Sequence, residues 1–342
     1  MNWWSMWPFI SPISLIRYLM VWRVNASLAW VPRYLAAEIS QVLGMLIAAR
    51  LPTPEAYHWR KTLAAWDEAD KDKEKPEIPE VFPDTLWPIE SVVFVYPGKP
   101  SYGPGERILW ELKLLGASAD HGRFLEVILP AMEAASTTAD PRWQRQNSLW
   151  GKFDIDSIYV ARGNRWEPFV RGGQLDLRYR ATPEQWAEGL TFAPPAGRIF
   201  DRLTWLTPFD LSKPQTKEAK TRQPRNPKRI PAGQSPTLPR ILEALADRLC
   251  VFLPGKYHTT ADVWNSLSAA EQAALQAALA QAAIIPLHHQ GFSRAPTHGP
   301  GRWIGTQTFP SIPSPIIPYL ELASIIHLGQ QTHFGCGTFS IA

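Results

Sequence analysis

The sequence predicts an α+β fold made of one strand and helix order used twice in tandem. Three observations carry that expectation. The first half of the chain alternates strand-like and helix-like patterns as β-α-β-β-α-β, and the second half repeats the order. A length of 342 residues suits two domains of ordinary size. The repeated order is that of the ferredoxin-like, or RRM-like, split unit.

In the first half, SLIRYLMVWRV (14–24) mixes β-branched, aromatic and polar residues in rough alternation, which predicts a strand. WVPRYLAAEISQVLGMLIAARL follows with Leu35, Ile39, Val42, Leu43, Leu46 and Ile47 at helical spacing. Pro32 suits its first turn and Pro52 stops it. Glu38 on this helix reads as a solvated charge. The run Asp67–Glu80 (DEADKDKEKPEIPE) predicts a solvated loop. SVVFVYP (91–97) and RILWELKLLG (107–116) predict two strands around a Gly/Pro turn. HGRFLEVILPAMEAA (121–135) predicts a helix that Pro130 must bend. Residues 149–163, with Phe153, Ile155, Ile158 and Val160, close the unit as a strand.

In the second half, RIFDRLTWLTPFDL (198–211) predicts a strand and LPRILEALADRLCVFL (238–253) an amphipathic helix. Strands are expected from IIPLHHQGF and GRWIGTQTF, a proline-started helix over 312–327, and a final strand over 332–341. SAAEQAALQAALAQAA adds a helix opened by a Ser268/Glu271 capping box. The expected layout is an apolar Trp-rich arm (1–12), a first domain (13–165), a linker (166–195) and a second domain (196–342). The second domain carries a basic insert (213–236), a helical insert (258–283) and a glycine-rich C-terminal loop.

Composition excludes several classes. Hydrophobic residues make up 45% of the chain, enough for packed cores, so global disorder is out. The formal charge is +4, which permits an acidic partner without requiring one. Cys250 and Cys336 have no zinc-ligand spacing and fit a reducing, cytoplasmic setting; no cofactor is expected. The opening MNWWSMWPFISPISLI lacks a signal-peptide pattern, and its prolines and following arginines argue against a membrane span. It reads as an apolar arm; docking on a partner protein or lying at a membrane surface are the sharper alternatives.

The insert 213–236 holds Lys213, Lys217, Lys220, Arg222, Arg225, Lys228 and Arg229 against Glu218 alone. Such a run is either a solvated loop or an arm on nucleic-acid phosphates. The closing stretch HLGQQTHFGCGTFSI places Gly329, Gly335 and Gly337 in a loop where backbone amides can approach a phosphodiester.

These segments together resemble the RAMP superfamily of CRISPR-associated proteins, and most specifically the Cas-six endoribonucleases. The likeness rests on the closing glycine-rich loop, on LTPFDL (206–211) followed by LPRILEALADRL, and on YGPGERILWELKLLG and WGKFDIDSIYV. It implies a protein that binds CRISPR repeat RNA and cuts it without a metal. The RNA 2′-hydroxyl would attack the adjacent phosphate, leaving a 2′,3′-cyclic phosphate and a 5′-hydroxyl. Such a protein needs a base, an acid and cations around the phosphorane. It implies that the mature crRNA and other Cas effector subunits are partners, with no membrane.

Many members carry a histidine in or near the first helix, whereas residues 17–50 contain none. The candidates for acid or base are therefore His327, His333, Tyr34 and His58. Candidate RNA-binding residues are Gly329, Gln330, Gln331, Thr332, Phe334, Gly335 and Gly337 in the loop, with Arg33, Arg50 and the insert's Lys220, Arg222, Arg225, Lys228 and Arg229. Gln330 and Gln331 stand where a member often places lysine. The absent histidine also supports an alternative, a non-catalytic scaffold subunit holding the crRNA end. Twin RRM-like modules of another kind are a further alternative, although no aromatic base-stacking pattern marks the central strands.

Overall fold

A computed structural model describes residues 13–71, 87–140, 142–143, 148–190, 197, 199–212, 236–253, 259–296 and 299–342, with side chains of 65–71 excepted. The Trp-rich arm and nearly all of the basic insert lie outside the described residues. Contacts divide the chain into two units, with the boundary after Leu190.

The first unit runs β1 (Leu15–Val24), β2 (Ala29–Trp30), α1 (Leu35–Arg50), α2 (Thr53–Lys71), β3 (Ser91–Val95), β4 (Ser101–Tyr102), β5 (Arg107–Leu115) and α3 (His121–Arg123). A π-helical turn (Phe124–Ile128) leads into α4 (Leu129–Thr137), followed by β6 (Phe153–Arg162), β7 (Arg165–Arg171) and β8 (Gln174–Leu175). The main sheet has the order β3-β5-β1-β6-β7-β8, and every pairing in it is antiparallel. Its first four strands reproduce the ferredoxin-like order, and a hairpin extends it past β6.

Alternation explains β1. Ile16, Tyr18, Met20, Trp22 and Val24 are buried on one face. Trp22 stacks on Phe153 at 4.1 Å and meets Trp110 edge-on, while Tyr18 stacks on Phe124 at 3.9 Å. Pro130 has no N–H to return to residue 126, and the helix absorbs the defect one turn earlier. There the Leu129 N–H reaches the Phe124 carbonyl, an i→i−5 bond.

Two parts of the first unit differ from the sequence expectation. Pro52 ends α1 but also begins α2, since Ala56 N–H donates to the Pro52 carbonyl. The expected loop at 67–80 therefore starts inside a helix that reaches Lys71. Ala56, Trp59 and Leu63 form the buried stripe of α2. Gly44 of α1 lets the two helices close: a Cβ there would sit 3.1 Å from Leu63 Cδ2. Second, residues assigned to a linker are part of the sheet. β7 pairs with β6, and Trp186 Nε1 donates to the Ile13 carbonyl at 2.9 Å.

The second unit runs β9 (Arg202–Trp205), α5 (Leu238–Phe252), α6 (Thr260–Asn265), α7 (Ala269–Ile284), β10 (His289–Arg294), β11 (Trp303–Thr308), α8 (Ile317–Ile326) and β12 (Phe339–Ile341). Its sheet order is β10-β11-β9-β12, again all antiparallel. This is the same ferredoxin-like order without an extension, so the tandem α+β expectation agrees with the structure. The Ser268/Glu271 capping box is present, and Thr237 caps α5 by accepting from Arg240 N–H. The last strand is shorter than expected: only Phe339–Ile341 is strand, and Thr332–Phe334 is a 3₁₀ turn.

An ionic cluster sits on the first sheet. Arg17 Nε donates to Glu111 Oε1 at 2.6 Å, and Lys113 Nζ lies 4.0 Å from Glu111 Oε2. The Lys113 side chain is 4% exposed and that of Glu111 2%. Burial alone would raise the Glu111 carboxyl, but the two cations overcome it and hold it below its ordinary value. Burial pushes the Lys113 ammonium down to about 8, against the pull of Glu111. Between pH 8 and about 10.5 the unfolded chain therefore binds a proton that the folded chain does not, so Lys113 makes stability rise with pH across that window. Lys113→Met keeps the Arg17–Glu111 pair, and its chemical-denaturation stability should lose that rise; an unchanged slope would show Lys113 to be solvated.

Candidate nucleic-acid interface

The glycine-rich tail is built against residues 207–212, the segment that leads into the basic insert. α8 ends at His327, whose φ is 63°, a left-handed conformation uncommon outside glycine. Leu328 N–H then donates to the Gly337 carbonyl at 3.0 Å, closing the loop on itself. Gly337 N–H donates to the Pro208 carbonyl and Gln330 N–H to the Asp210 carbonyl, both at 2.9 Å. The Gln330 side chain continues the contact, its Nε2 donating to the Ser212 carbonyl at 2.9 Å. Ser212 is the last described residue before the insert.

Close backbone approach is why two of these positions are glycine. At Gly337, φ 84°, a Cβ would lie 1.9 Å from the Leu328 carbonyl oxygen. At Gly329, φ 85°, it would lie 2.2 Å from that of Asp210. Gln331, at φ 59°, turns the chain so that its Oε1 accepts from Gly301 N–H at 2.7 Å. The glycines bring protein backbone against protein backbone here, and Thr332, Phe334 and Gly335 are buried with them.

The tail histidines are inside the protein. His327 is 0% exposed, with Nδ1 3.1 Å from the carbonyls of both Gly335 and Cys336. Two carbonyl partners assign the proton to Nδ1. His333 is 2% exposed. Neither imidazole meets solvent, so neither reaches a phosphate from this arrangement.

The remaining candidates are on the first unit. Tyr34 is the residue before α1, with Arg33 over its ring at 5.5 Å. Burial raises the phenol, and Arg33 opposes that only in part, which makes Tyr34 a poorer base still. Arg50 is exposed at the other end of α1, with Nη1 3.4 Å from the Pro130 carbonyl. The helix rise separates it from Tyr34 by about 24 Å, so the structure does not bring these two together. His58 is exposed on α2, edge-on to Tyr57 at 5.6 Å. Lys220, Arg222, Arg225, Lys228 and Arg229 lie outside the described residues.

Glu38 is not the solvated charge expected from sequence. Its Oε1 accepts from Trp150 Nε1 at 2.5 Å. Beside it the first unit has a cavity of about 250 Å³ walled by residues from 30 to 148. Sequence pattern did not single it out because its walls come from distant segments. Among the described residues no three His, Cys, Asp or Glu side chains are grouped so as to hold a metal ion, and no helix is long and apolar enough to cross a membrane.

No protein-family model matches the chain, and no curated protein does. Solved structures do. A partial Cas6-RT-Cas1–Cas2 complex aligns over 96% of this chain and 46% of its own, at 14% identity and a TM-score of 0.50. A Cas6-RT-Cas1–Cas2 complex aligns over 96% and 29%, also at 14% and 0.50. A Cas6 product complex aligns over 96% and 99%, at 16% identity and a TM-score of 0.44. The chain thus spans less than half the length of the first two. At such identities the likeness is one of fold, and it is the tandem fold described above.

Gly337→Ala should lower unfolding stability by at least about 2 kcal/mol, from left-handed strain and the collision with the Leu328 carbonyl. His327→Ala should cost about 1–3 kcal/mol by stripping a donor from two buried carbonyls. Urea titration reads both, and wild-type stability in either variant would mean that the loop does not pack as described.

Proposed function

We propose that this chain binds CRISPR repeat RNA and cleaves it by metal-independent attack of the RNA 2′-hydroxyl, then stays with the mature crRNA as a subunit of a Cas effector complex. One observation carries this reading: two all-antiparallel ferredoxin-like sheets in tandem, the second closed by the glycine-rich loop that the sequence resemblance singled out. The fold likeness to Cas6-containing complexes supports it.

In this mechanism a base takes the proton of the 2′-hydroxyl as its oxygen attacks phosphorus, and an acid returns a proton to the departing 5′-oxygen. Attacking and leaving oxygens must lie in line, so placement counts as much as basicity. Burial of His327 and His333 moves the acid–base role to His58. It is exposed in the second turn of α2, and an imidazole is the side chain that most often fills such a role. The tail then acts by holding Ser212, the root of the basic insert. The insert supplies phosphate affinity: it carries seven basic residues and one acidic, while the whole chain is only +4, so the remainder is net acidic. The buried tail histidines equally favour a second reading, a scaffold subunit that binds the crRNA end and does not cut.

Incubation with repeat RNA in EDTA decides between the two. Cleavage that a 2′-deoxy residue at the cut site abolishes, and that His58→Ala slows by about 10²–10⁴-fold, is the expected result. Tight binding without cleavage establishes the scaffold reading, and cleavage unaffected by the deoxy residue overturns the mechanism. Deleting 213–235 should weaken repeat-RNA binding and flatten its salt dependence by several charge equivalents. An unchanged slope removes the insert from the interface.

A further inference from the structure

The cavity beside Glu38 has the chemistry of a nucleobase site. Its walls include Trp30, Glu38, Gln41, Arg142, Trp143 and Ser148. Trp30 is 50% exposed, yet its backbone is fixed: β2 pairs with β4, and Trp30 bridges Ser148 in parallel. An exposed indole on a paired strand offers a stacking face whose backbone is already ordered by folding. Glu38 and Gln41, three residues apart, lie on one face of α1. The bond from Trp150 Nε1 holds the Glu38 carboxylate in place. Ser148 Oγ spends its proton on the Trp143 carbonyl at 2.6 Å and so faces a ligand as an acceptor. The Trp143 indole N–H is buried with no hydrogen-bond partner among the described residues.

Charge argues against an anionic occupant. A carboxylate stands in the wall, and Arg142 is committed to Asp140, with Nη2 2.6 Å from Oδ2 and Nε 3.1 Å from Oδ1. A phosphate or an acidic peptide would be set against the Glu38 carboxylate in that wall. What suits the cavity is a flat, uncharged group carrying both donors and acceptors on its edge, about one ring system in size. Single-stranded RNA is read in this way, by splayed bases stacked on aromatic side chains and hydrogen-bonded along their edges.

We propose that this cavity binds one unstacked nucleobase of the RNA, with Trp30 as the stacking platform and Glu38, Gln41, Ser148 and Trp143 along its edge. The proposal rests on the RNA-binding reading above and makes this cavity a specificity site apart from the phosphate contacts.

The test uses the full chain labelled with 5-fluorotryptophan, with the Trp30 and Trp143 resonances assigned from Trp→Phe variants. AMP, GMP, CMP and UMP are titrated in turn, and repeat RNAs with single abasic positions are then compared. At least one nucleotide should shift both resonances. Trp30→Ala should weaken repeat-RNA binding by about 5- to 100-fold with an unchanged salt slope, and Trp30→Phe should retain most of the affinity. One abasic position should cost affinity in the wild type and nothing further in Trp30→Ala. If no nucleotide shifts either resonance, or every abasic penalty persists in Trp30→Ala, the proposal is overturned. If the wild type binds no repeat RNA, the functional reading fails and the nucleotide titration alone decides the cavity.

Discussion

The second unit depends on a contact between two stretches of backbone, 207–212 and 328–338. Buried carbonyls need donors, and a carbonyl left without one costs about 1–3 kcal/mol. The carbonyls of Pro208 and Asp210 receive theirs from Gly337 and Gln330. Strands come this close only if no side chain intervenes, which is why left-handed glycines stand at 329 and 337. Much follows from that contact. β12 is delivered to the free edge of β9, where Phe339 packs on Trp205. His327 is turned inward to bind the loop carbonyls, and Ser212 is held where the basic insert departs. The loop that most resembled a phosphate cradle is first a structural clasp.

The fold was legible where the signal is local. Alternation marked β1 and β6, β propensity around a Gly/Pro turn marked β3 and β5, amphipathic spacing marked α5, a capping box marked α7, and Pro130 announced a helix defect. The misses have physical causes. Pro52 is both a stop and a start, because proline is excluded from a helix interior but welcome at an N-terminus. β7 reads RWEPFVR, with charges at both ends and a proline within, and only its pairing with β6 makes it a strand. Function was less legible. The tail's histidines drew attention by residue type, and burial, which decides what they can do, is set by a contact with residues more than a hundred positions away. The cavity at Trp30 was invisible for the same reason.

Charge is distributed unevenly along the chain. In the described structure many cations are already answered. Arg162 binds both Glu167 and Glu188, Arg23 binds Asp154, Arg107 binds Asp156, Arg240 binds Glu243, and Arg17 and Lys113 share buried Glu111. The exposed pairs among these add little stability, but each cancels the field of its own cation. The insert is the opposite, a run of cations with one carboxylate.

A protein arranged in this way would hold RNA by two terms with different physics. The insert's contribution comes from counterion release, so it falls steeply with salt and is nearly blind to sequence. A base stacked on Trp30 releases few counterions, so its contribution survives salt and depends on which nucleotide is unpaired. Affinity and specificity then sit on separate parts of the chain and can be varied independently. Loss of the insert should lower affinity and flatten its salt slope while leaving preference among RNAs intact, and loss of Trp30 should lower affinity only for RNAs that present the unpaired base, with the salt slope unchanged. A single undivided binding surface could not give that crossed result, because there each substitution would move salt slope and preference together.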